Sequence, residues 1–186
     1  MNANMKSSKL WIPFMIALVG TVLMAVTVFL PYATATDKQA ENLQKYPDTV
    51  VYEGCDMTAE DMMNISMAEY AKVYTTLSEQ LWGNSSYGLF YAAFVVAIGV
   101  FSVLAVLFTC LKKPIAVIIF DILAFGVFSL QNWDYTDRGV IPSSSYDWGI
   151  GYYLFYAAAA IALIGSVWML VNQIKIKKQH KADNIG

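Results

Sequence analysis

Two nearly identical stretches decide the fold: WGNSSYGLFYAA at residues 82–93 and WGIGYYLFYAA at residues 148–158. Recurrence at this length indicates an internal repeat, in which one structural element is used twice. Each stretch opens a long apolar run, and each run ends in a lysine pair, Lys112-Lys113 in the first copy and Lys177-Lys178 in the second. The repeat therefore predicts two membrane helices that run in the same direction.

The composition is typical of a membrane protein. Hydrophobic residues make up 58% of the chain and charged residues 14%, against about 45–50% and about 25% in soluble domains. The formal net charge of −2 does not favour a nucleic acid as the partner. We therefore expect a lipid bilayer, and no nucleic acid, around this chain.

Apolar runs divide the chain into four predicted spans, at residues 10–31, 87–111, 114–132 and 149–174. The first has 22 residues without a charge, about 33 Å of helix, which crosses a hydrocarbon core of about 30 Å. A cleaved signal peptide is the alternative, since an A-x-A pattern follows at residues 33–35. A signal core is only about 7–15 residues long, so we expect the first span to be retained.

Charges are sorted between the two ends of these spans. Eight lysines and a single acid, Asp183, occur in three segments, namely the lead, the short turn and the tail, at residues 1–9, 112–113 and 175–186. The two remaining connections, at residues 32–86 and 133–148, are both net acidic. The positive-inside rule therefore places both termini in the cytoplasm and the acidic connections outside the cell membrane.

The first outer connection has its own pattern. Thr58 and Asp61 approximate a capping box, and large apolar residues then recur at spacings of four and three, which predicts an amphipathic helix at residues 58–82. Its apolar face consists of Met63, Met67, Tyr70, Tyr74, Leu77 and Leu81. This face either covers the outer end of the bundle or binds a partner. Upstream, we expect the first helix to continue to Tyr46, and residues 49–52 favour a short strand.

Small residues mark helix faces that can pack closely in lipid. They recur four residues apart in three spans: Ala17, Thr21 and Ala25; Ala93 and Ala97; and Ala158, Ala162 and Ser166. These faces are predicted contacts between helices of one chain or between copies in a homo-oligomer. The predicted fold is an all-α integral membrane protein, a four-transmembrane-helix bundle with a partly helical extracytoplasmic module.

Asp121 is an acidic residue inside the third span, about 10 Å beyond Pro114. A charge at that depth costs a few kcal/mol, so the carboxyl is either a functional group or a structural group that is hydrogen-bonded to a neighbouring side chain. The two cysteines, Cys55 and Cys110, are expected about 30 Å apart on opposite sides of the bilayer, beyond disulfide reach. Cys55 is then either bonded to another chain or buried.

The plan of four spans with a large first and a smaller second outer connection resembles that of claudin-type tetraspan proteins. Leu81-Trp82-Gly83 is similar to part of their loop signature, but the cysteine pair that accompanies the signature is absent. The resemblance is one of topology, which does not define a function. No family is assigned on this basis.

No catalytic, cofactor or metal motif occurs in the sequence, which contains no C-x-x-C pattern and a single histidine, His180. We therefore expect no cofactor or metal, and an enzyme is disfavoured. The leading hypothesis is a non-catalytic membrane interaction protein, an accessory, scaffold or sensor subunit whose extracytoplasmic module binds a protein partner or ligand. The alternative is a small transporter or channel in which Asp121 is the intramembrane ionisable group.

Overall fold

The computed structural model describes residues 3–52, 54–83 and 85–183. The fold is mostly helical, and within these residues four helices are long and apolar enough to span a membrane. In chain order the helices are α1 (Ala3–Thr27), α2 (Asp37–Gln44), α3 (Met67–Trp82), α4 (Ser85–Cys110), α5 (Pro114–Asp137) and α6 (Ile150–Asp183). The four long ones are α1, α4, α5 and α6, which is the pattern of a multi-pass membrane protein.

Helices α1 and α6 pack closely through small residues. Gly20 faces the backbone of Ala158 and Ala162, and Gly165 faces Ala17, so a Cβ at either glycine would collide with the opposite helix. In lipid no hydrophobic force pushes helices together, and close backbone approach supplies the packing instead. The predicted small faces of the first and fourth spans therefore do form a helix contact.

The predicted small face of α4 is different, because Ala93 is exposed and Ala97 is only half-buried. The buried face of α4 carries larger side chains instead, namely Tyr91, Val95, Ile98, Ser102, Ala105 and Thr109. Helix α4 packs against α3 and α5, where these side chains fill the space between the helices. Ala93 thus makes no close helix contact within the chain, and a contact between copies through this face stays a prediction.

Helices α4 and α5 are joined by a tight turn. Lys112 has a left-handed backbone with φ 54°, and Pro114 occupies the first turn of α5, where its missing N–H costs nothing. The side-chain amide of Gln173 in α6 donates to the carbonyl of Lys112 at 2.9 Å. We call this end of the bundle, which carries Lys112, Lys113 and Lys177, the lysine end.

The opposite end, the sheet end, carries two small sheets that the all-α prediction missed. Strand β1 (Pro31–Ala35) is the central strand of three and pairs antiparallel with β4 (Asn64–Ser66) and β5 (Tyr146–Trp148). A second sheet pairs β2 (Val50–Tyr52) with β3 (Met57–Thr58), so the strand expected at residues 49–52 is present. We call residues 31–66 together with β5 the sheet module.

Helix α1 ends at Thr27 and does not continue to Tyr46 as expected. Pro31 cannot donate a hydrogen bond to a helix, and the chain from this residue pairs along both edges of β1 instead. Helix α2 is thus a separate element without a buried residue. Two other helices extend past the predicted span ends: α5 continues five residues beyond 132, to Asp137, and α6 nine residues beyond 174, to Asp183.

The amphipathic helix begins at Met67 and not near residue 58. Ser66 forms the capping box with Glu69: the Ser66 backbone N–H donates to the Glu69 carboxylate at 2.7 Å, and the Glu69 N–H donates to the Ser66 hydroxyl at 3.2 Å. The predicted pair, Thr58 and Asp61, does form hydrogen bonds, but they lie at a short 3-10 turn, Asp61–Met63. A helix cannot run through this region because β4 pairs with β1.

Candidate functional site

The predicted apolar face of the amphipathic helix lies inside the protein. Met67, Tyr70, Tyr74 and Leu77 on α3 are all buried, while Met63 belongs to the preceding 3-10 turn and is half-buried. The side chain of Leu81 lies outside the described part of the structure. The four buried side chains are covered within the chain, which fits the alternative in which this face covers the end of the bundle.

Five tyrosines from four elements, β1, α3, α4 and α5, form what we call the aromatic junction: Tyr32, Tyr70, Tyr74, Tyr91 and Tyr135. The rings of Tyr74 and Tyr91 are 4.6 Å apart, and those of Tyr70 and Tyr135 are 6.0 Å apart, measured between centroids. Ring pairs at these separations stabilise a fold beyond the area they bury. The aromatic junction therefore fixes the sheet module to the end of the bundle.

Tyr32 lies at the centre of the aromatic junction and is fully buried. Its hydroxyl donates to the side-chain carbonyl of Asn132, and the Asn132 amide nitrogen donates to the Tyr156 hydroxyl at 3.0 Å. Burial raises the pKa of Tyr32 well above its ordinary value of 10.0, and Tyr135 raises it further. The Tyr32 hydroxyl thus keeps its proton, and the bond to Asn132 ties β1 to α5.

An ion pair closes the other side of the aromatic junction. The Arg138 guanidinium contacts the Asp134 carboxylate at 2.6 Å and lies 4.7 Å above the Tyr91 ring. The Tyr91 hydroxyl also donates to Asp134, at 3.0 Å. Burial raises the pKa of Tyr74, and the Arg138 charge opposes that shift. The arrangement links Tyr91 on α4 to Asp134 on α5.

Sequence reasoning missed the polar residues of α5 that face the aromatic junction, Gln131, Asn132 and Tyr135. All three are buried, and they continue the helical spacing of the buried positions that begins at Pro114 and includes Asp121. That spacing was the available signal. The helical spacing was not followed as far as Tyr135, because the predicted third span ended at residue 132 and Tyr135 was assigned to the next connection.

Asp121 lies on the buried face of α5 and is 2% exposed. It lines a groove of about 420 Å³ between α5 and α6, whose other lining residues include Phe125, Tyr156 and Leu163. Its Oδ1 atom has no hydrogen-bond partner among the described residues. The expected structural hydrogen bond therefore does not reach this oxygen.

The tip of the sheet module is exposed and apolar. Tyr46, Val50 and Val51 are 73%, 49% and 40% exposed. Successive residues of a strand point to opposite faces, so the chain covers neither face of β2 at Val50 and Val51. Backbone hydrogen bonds from Ala59 to Thr49 and from Glu60 to Pro47 hold this tip together.

Cys55 is buried and unpaired, while Cys110 is exposed. Among the described residues no group of three or more histidine, cysteine or acidic side chains is arranged to hold a metal ion. Comparison of the chain with protein-family models, curated proteins and solved structures finds no match. The function must therefore be argued from the surfaces of this molecule.

Proposed function

We propose that the protein is a non-catalytic membrane interaction protein, in which a four-helix anchor presents the sheet module to a protein partner outside the cell. The orientation rests on the sorting of charge: lysines gather at one end of the spans and acids at the other. By the positive-inside rule the lysine end and both termini are cytoplasmic. The sheet module then faces the exterior of the cell membrane.

The observation that carries the proposal is the uncovered tip formed by Tyr46, Val50 and Val51. Large apolar side chains that cluster on an exposed segment mark an interaction surface. The module is fixed to the bundle through Tyr32, its member of the aromatic junction, whose hydroxyl donates to Asn132 on α5. A rigid presenting surface lowers the ordering cost of binding.

The chemistry of the partner follows from charge. Residues 45–61 contain five acids and one lysine, and Asp48 and Glu60 are exposed beside the apolar tip. Complementary potentials steer association and reject the wrong partners. The partner is therefore a protein with an apolar centre and a basic rim, and a second copy of this acidic module is disfavoured.

Photocrosslinking in cells tests this proposal. A photoreactive residue at Val51 should yield one crosslinked protein, whereas the same residue at the exposed control position Lys72 on α3 should not. Neutralising the rim with Asp48→Asn and Glu60→Gln should reduce the yield at Val51. Equal crosslinking at both positions, a product of twice the chain mass, or a yield indifferent to the rim charges would overturn the proposal.

Impermeant maleimide labelling of intact cells tests the orientation. Cys55 is buried, which was one of the two alternatives for this residue, and it is therefore a poor reporter of the orientation. A cysteine introduced at the exposed Ser144 should label from outside, and one introduced at Lys178 should label only after the cells are opened. The reverse pattern would contradict the orientation and with it the proposal.

A second function, a small transporter or channel, is favoured by one observation, the buried Asp121 without a partner at Oδ1. Against it, the nearest buried positions on α5 are Val117, Ala124 and Phe128, and the next buried polar residue of this helix, Gln131, lies ten positions beyond Asp121. Proton-linked flux in liposomes decides: a flux abolished by Asp121→Asn, with the melting temperature unchanged, would establish transport. We expect no such flux.

A further inference from the structure

A groove of about 530 Å³ lies between α5 and α6 at the lysine end, away from the tip and from the aromatic junction. Lys113 and Lys177 lie among its lining residues. Its apolar lining includes Ile115 and Ile119 from α5 and Leu170 and Ile174 from α6. Helical spacing puts Leu170, Ile174 and Lys177 on one face of α6, so the cation and the apolar wall belong to the same surface.

A hydrogen bond joins residues from the two sides of the groove. The Gln173 side chain, which also lines the groove, donates to the Lys112 carbonyl at 2.9 Å. This bond fixes the turn before α5 against α6. The Lys112 ammonium lies 5.7 Å from the centroid of the Phe14 ring on α1, so Lys112 is occupied elsewhere.

Lys113 and Lys177 have no ion-pair partner among the described residues. Both are exposed, and the ion pair found in the described part of the chain involves neither of them. Helix α5 begins beside Lys113, and the positive end of its dipole adds to the potential of the two lysines. The mouth of the groove is thus cationic and its walls are apolar.

We propose that this groove binds one anionic phospholipid of the bilayer, with the phosphate between Lys113 and Lys177 and an acyl chain along Ile119 and Leu170. Charge complementarity selects the headgroup, since basic pockets between membrane helices suit anionic lipids. A soluble phosphate would gain nothing from the apolar walls. A zwitterionic lipid would bring its own cation against the two lysines.

Native mass spectrometry of the full-length protein in detergent tests the proposal, with phosphatidylglycerol and phosphatidylcholine as the probes. The wild type should retain one phosphatidylglycerol in preference to phosphatidylcholine. A double variant, Lys113→Gln with Lys177→Gln, should bind phosphatidylglycerol about 30-fold more weakly, from about fivefold for each lysine. The matched control, Lys175→Gln with Lys178→Gln, removes the same charge from exposed lysines of α6 that do not line the groove.

Three results would overturn the proposal. Equal loss of lipid in the two double variants would show that diffuse charge, and not the groove, attracts the lipid. Glycerol phosphate that competes as well as the whole lipid would show a phosphate site without an acyl subsite. Leu170→Trp narrows the groove without a change of charge, so unchanged phosphatidylglycerol binding by this variant, with the melting temperature preserved, would also contradict it.

Discussion

Phe90 and Phe155 occupy equivalent positions in the two copies of the repeated stretch, yet Phe90 is 55% exposed and Phe155 is fully buried. The glycines that follow the tryptophans differ in the same way. Gly83 has φ 64° and ends α3 with nothing near its missing Cβ, whereas Gly149 lies against the Pro31 carbonyl. Identical residues in the two copies therefore have different environments in the folded protein.

The difference comes from what precedes each copy. The first copy follows helix α3, and the second follows strand β5, which pairs with β1. Pairing with β1 holds the start of α6 beside this strand, where the Gly149 N–H donates to the Tyr32 carbonyl at 2.8 Å. The repeated residues specify the start of an apolar helix in both copies. The segment before each copy determines which elements that helix packs against.

The phenylalanines give the largest expected contrast. Phe155→Ala should lower the free energy of unfolding by about 3–5 kcal/mol, because its ring stacks on Phe128 with centroids 4.0 Å apart and a cavity would remain. Phe90→Ala, on the exposed side of α4, should change it by about 0.5 kcal/mol or less. Denaturant unfolding in detergent measures both, and equal losses would contradict the inequality of the two copies.

The glycines come next. Gly149→Ala puts a methyl group against the Pro31 carbonyl and should cost about 1–3 kcal/mol through backbone displacement. Gly83→Ala meets no atom but forces a left-handed backbone on a residue with a Cβ, at about 1 kcal/mol. Melting temperatures of the two variants rank them. A larger drop in melting temperature for Gly83→Ala than for Gly149→Ala would contradict the inference that Gly149 is the more closely packed of the two glycines.

The helices could be predicted from the sequence because their cause is local. A run such as residues 10–27 is apolar along its whole length, and burial in lipid needs no further information. The strands of the three-stranded sheet could not be predicted from the sequence in this way. Strand β1 has the letters PYATA, which form no apolar run, and it is a strand because β4 and β5 pair with its two edges from distant parts of the chain.

The candidate sites divide in the same way. Asp121 was found as an acid within an apolar run. The Tyr32–Asn132 hydrogen bond joins residues 100 positions apart, and no local pattern reports such a pair. The start of α3 was ambiguous for a related reason, since both Thr58 and Ser66 have an acidic residue three positions later. The pairing of β4 with β1 excludes a helix start at Thr58 and leaves Ser66 as the cap.

The two copies share one feature, a tyrosine hydroxyl that is hydrogen-bonded to α5. Tyr91 and Tyr156 are equivalent, and each hydroxyl bonds to α5, Tyr91 to Asp134 and Tyr156 to Asn132. Tyr91→Phe and Tyr156→Phe should therefore each cost about 1 kcal/mol. Denaturant unfolding of the single and double variants checks this, and the two losses should add because the bonds share no residue. An unchanged free energy of unfolding for either variant would show that the two tyrosine hydroxyls do not contribute equally.

The smallest expected effect concerns pH and the segment before the second copy. The Tyr146 hydroxyl on β5 donates to the Met62 carbonyl at 2.9 Å. Burial raises the pKa of Tyr146 from 10.0 to about 12, and Tyr52 adds to the shift. The folded state thus favours the neutral phenol. Its stabilising contribution is complete below pH 10 and is lost as pH rises toward 12, where the unfolded chain has already released its proton.

Because Tyr146 is half-buried, solvent screening reduces this loss to about 1 kcal/mol or less. The melting temperature of the wild type should therefore be flat below pH 10 and should decline above it. Tyr146→Phe has no proton to lose, so its melting temperature should start lower by the value of one hydrogen bond and decline less steeply above pH 10. The buried Tyr70, whose pKa burial also raises, keeps the variant from being fully insensitive to alkali. Parallel declines in the two proteins would show that Tyr146 does not couple the start of the second copy to the sheet module, and the comparison of the two copies would then rest on Gly149 and Phe155 alone.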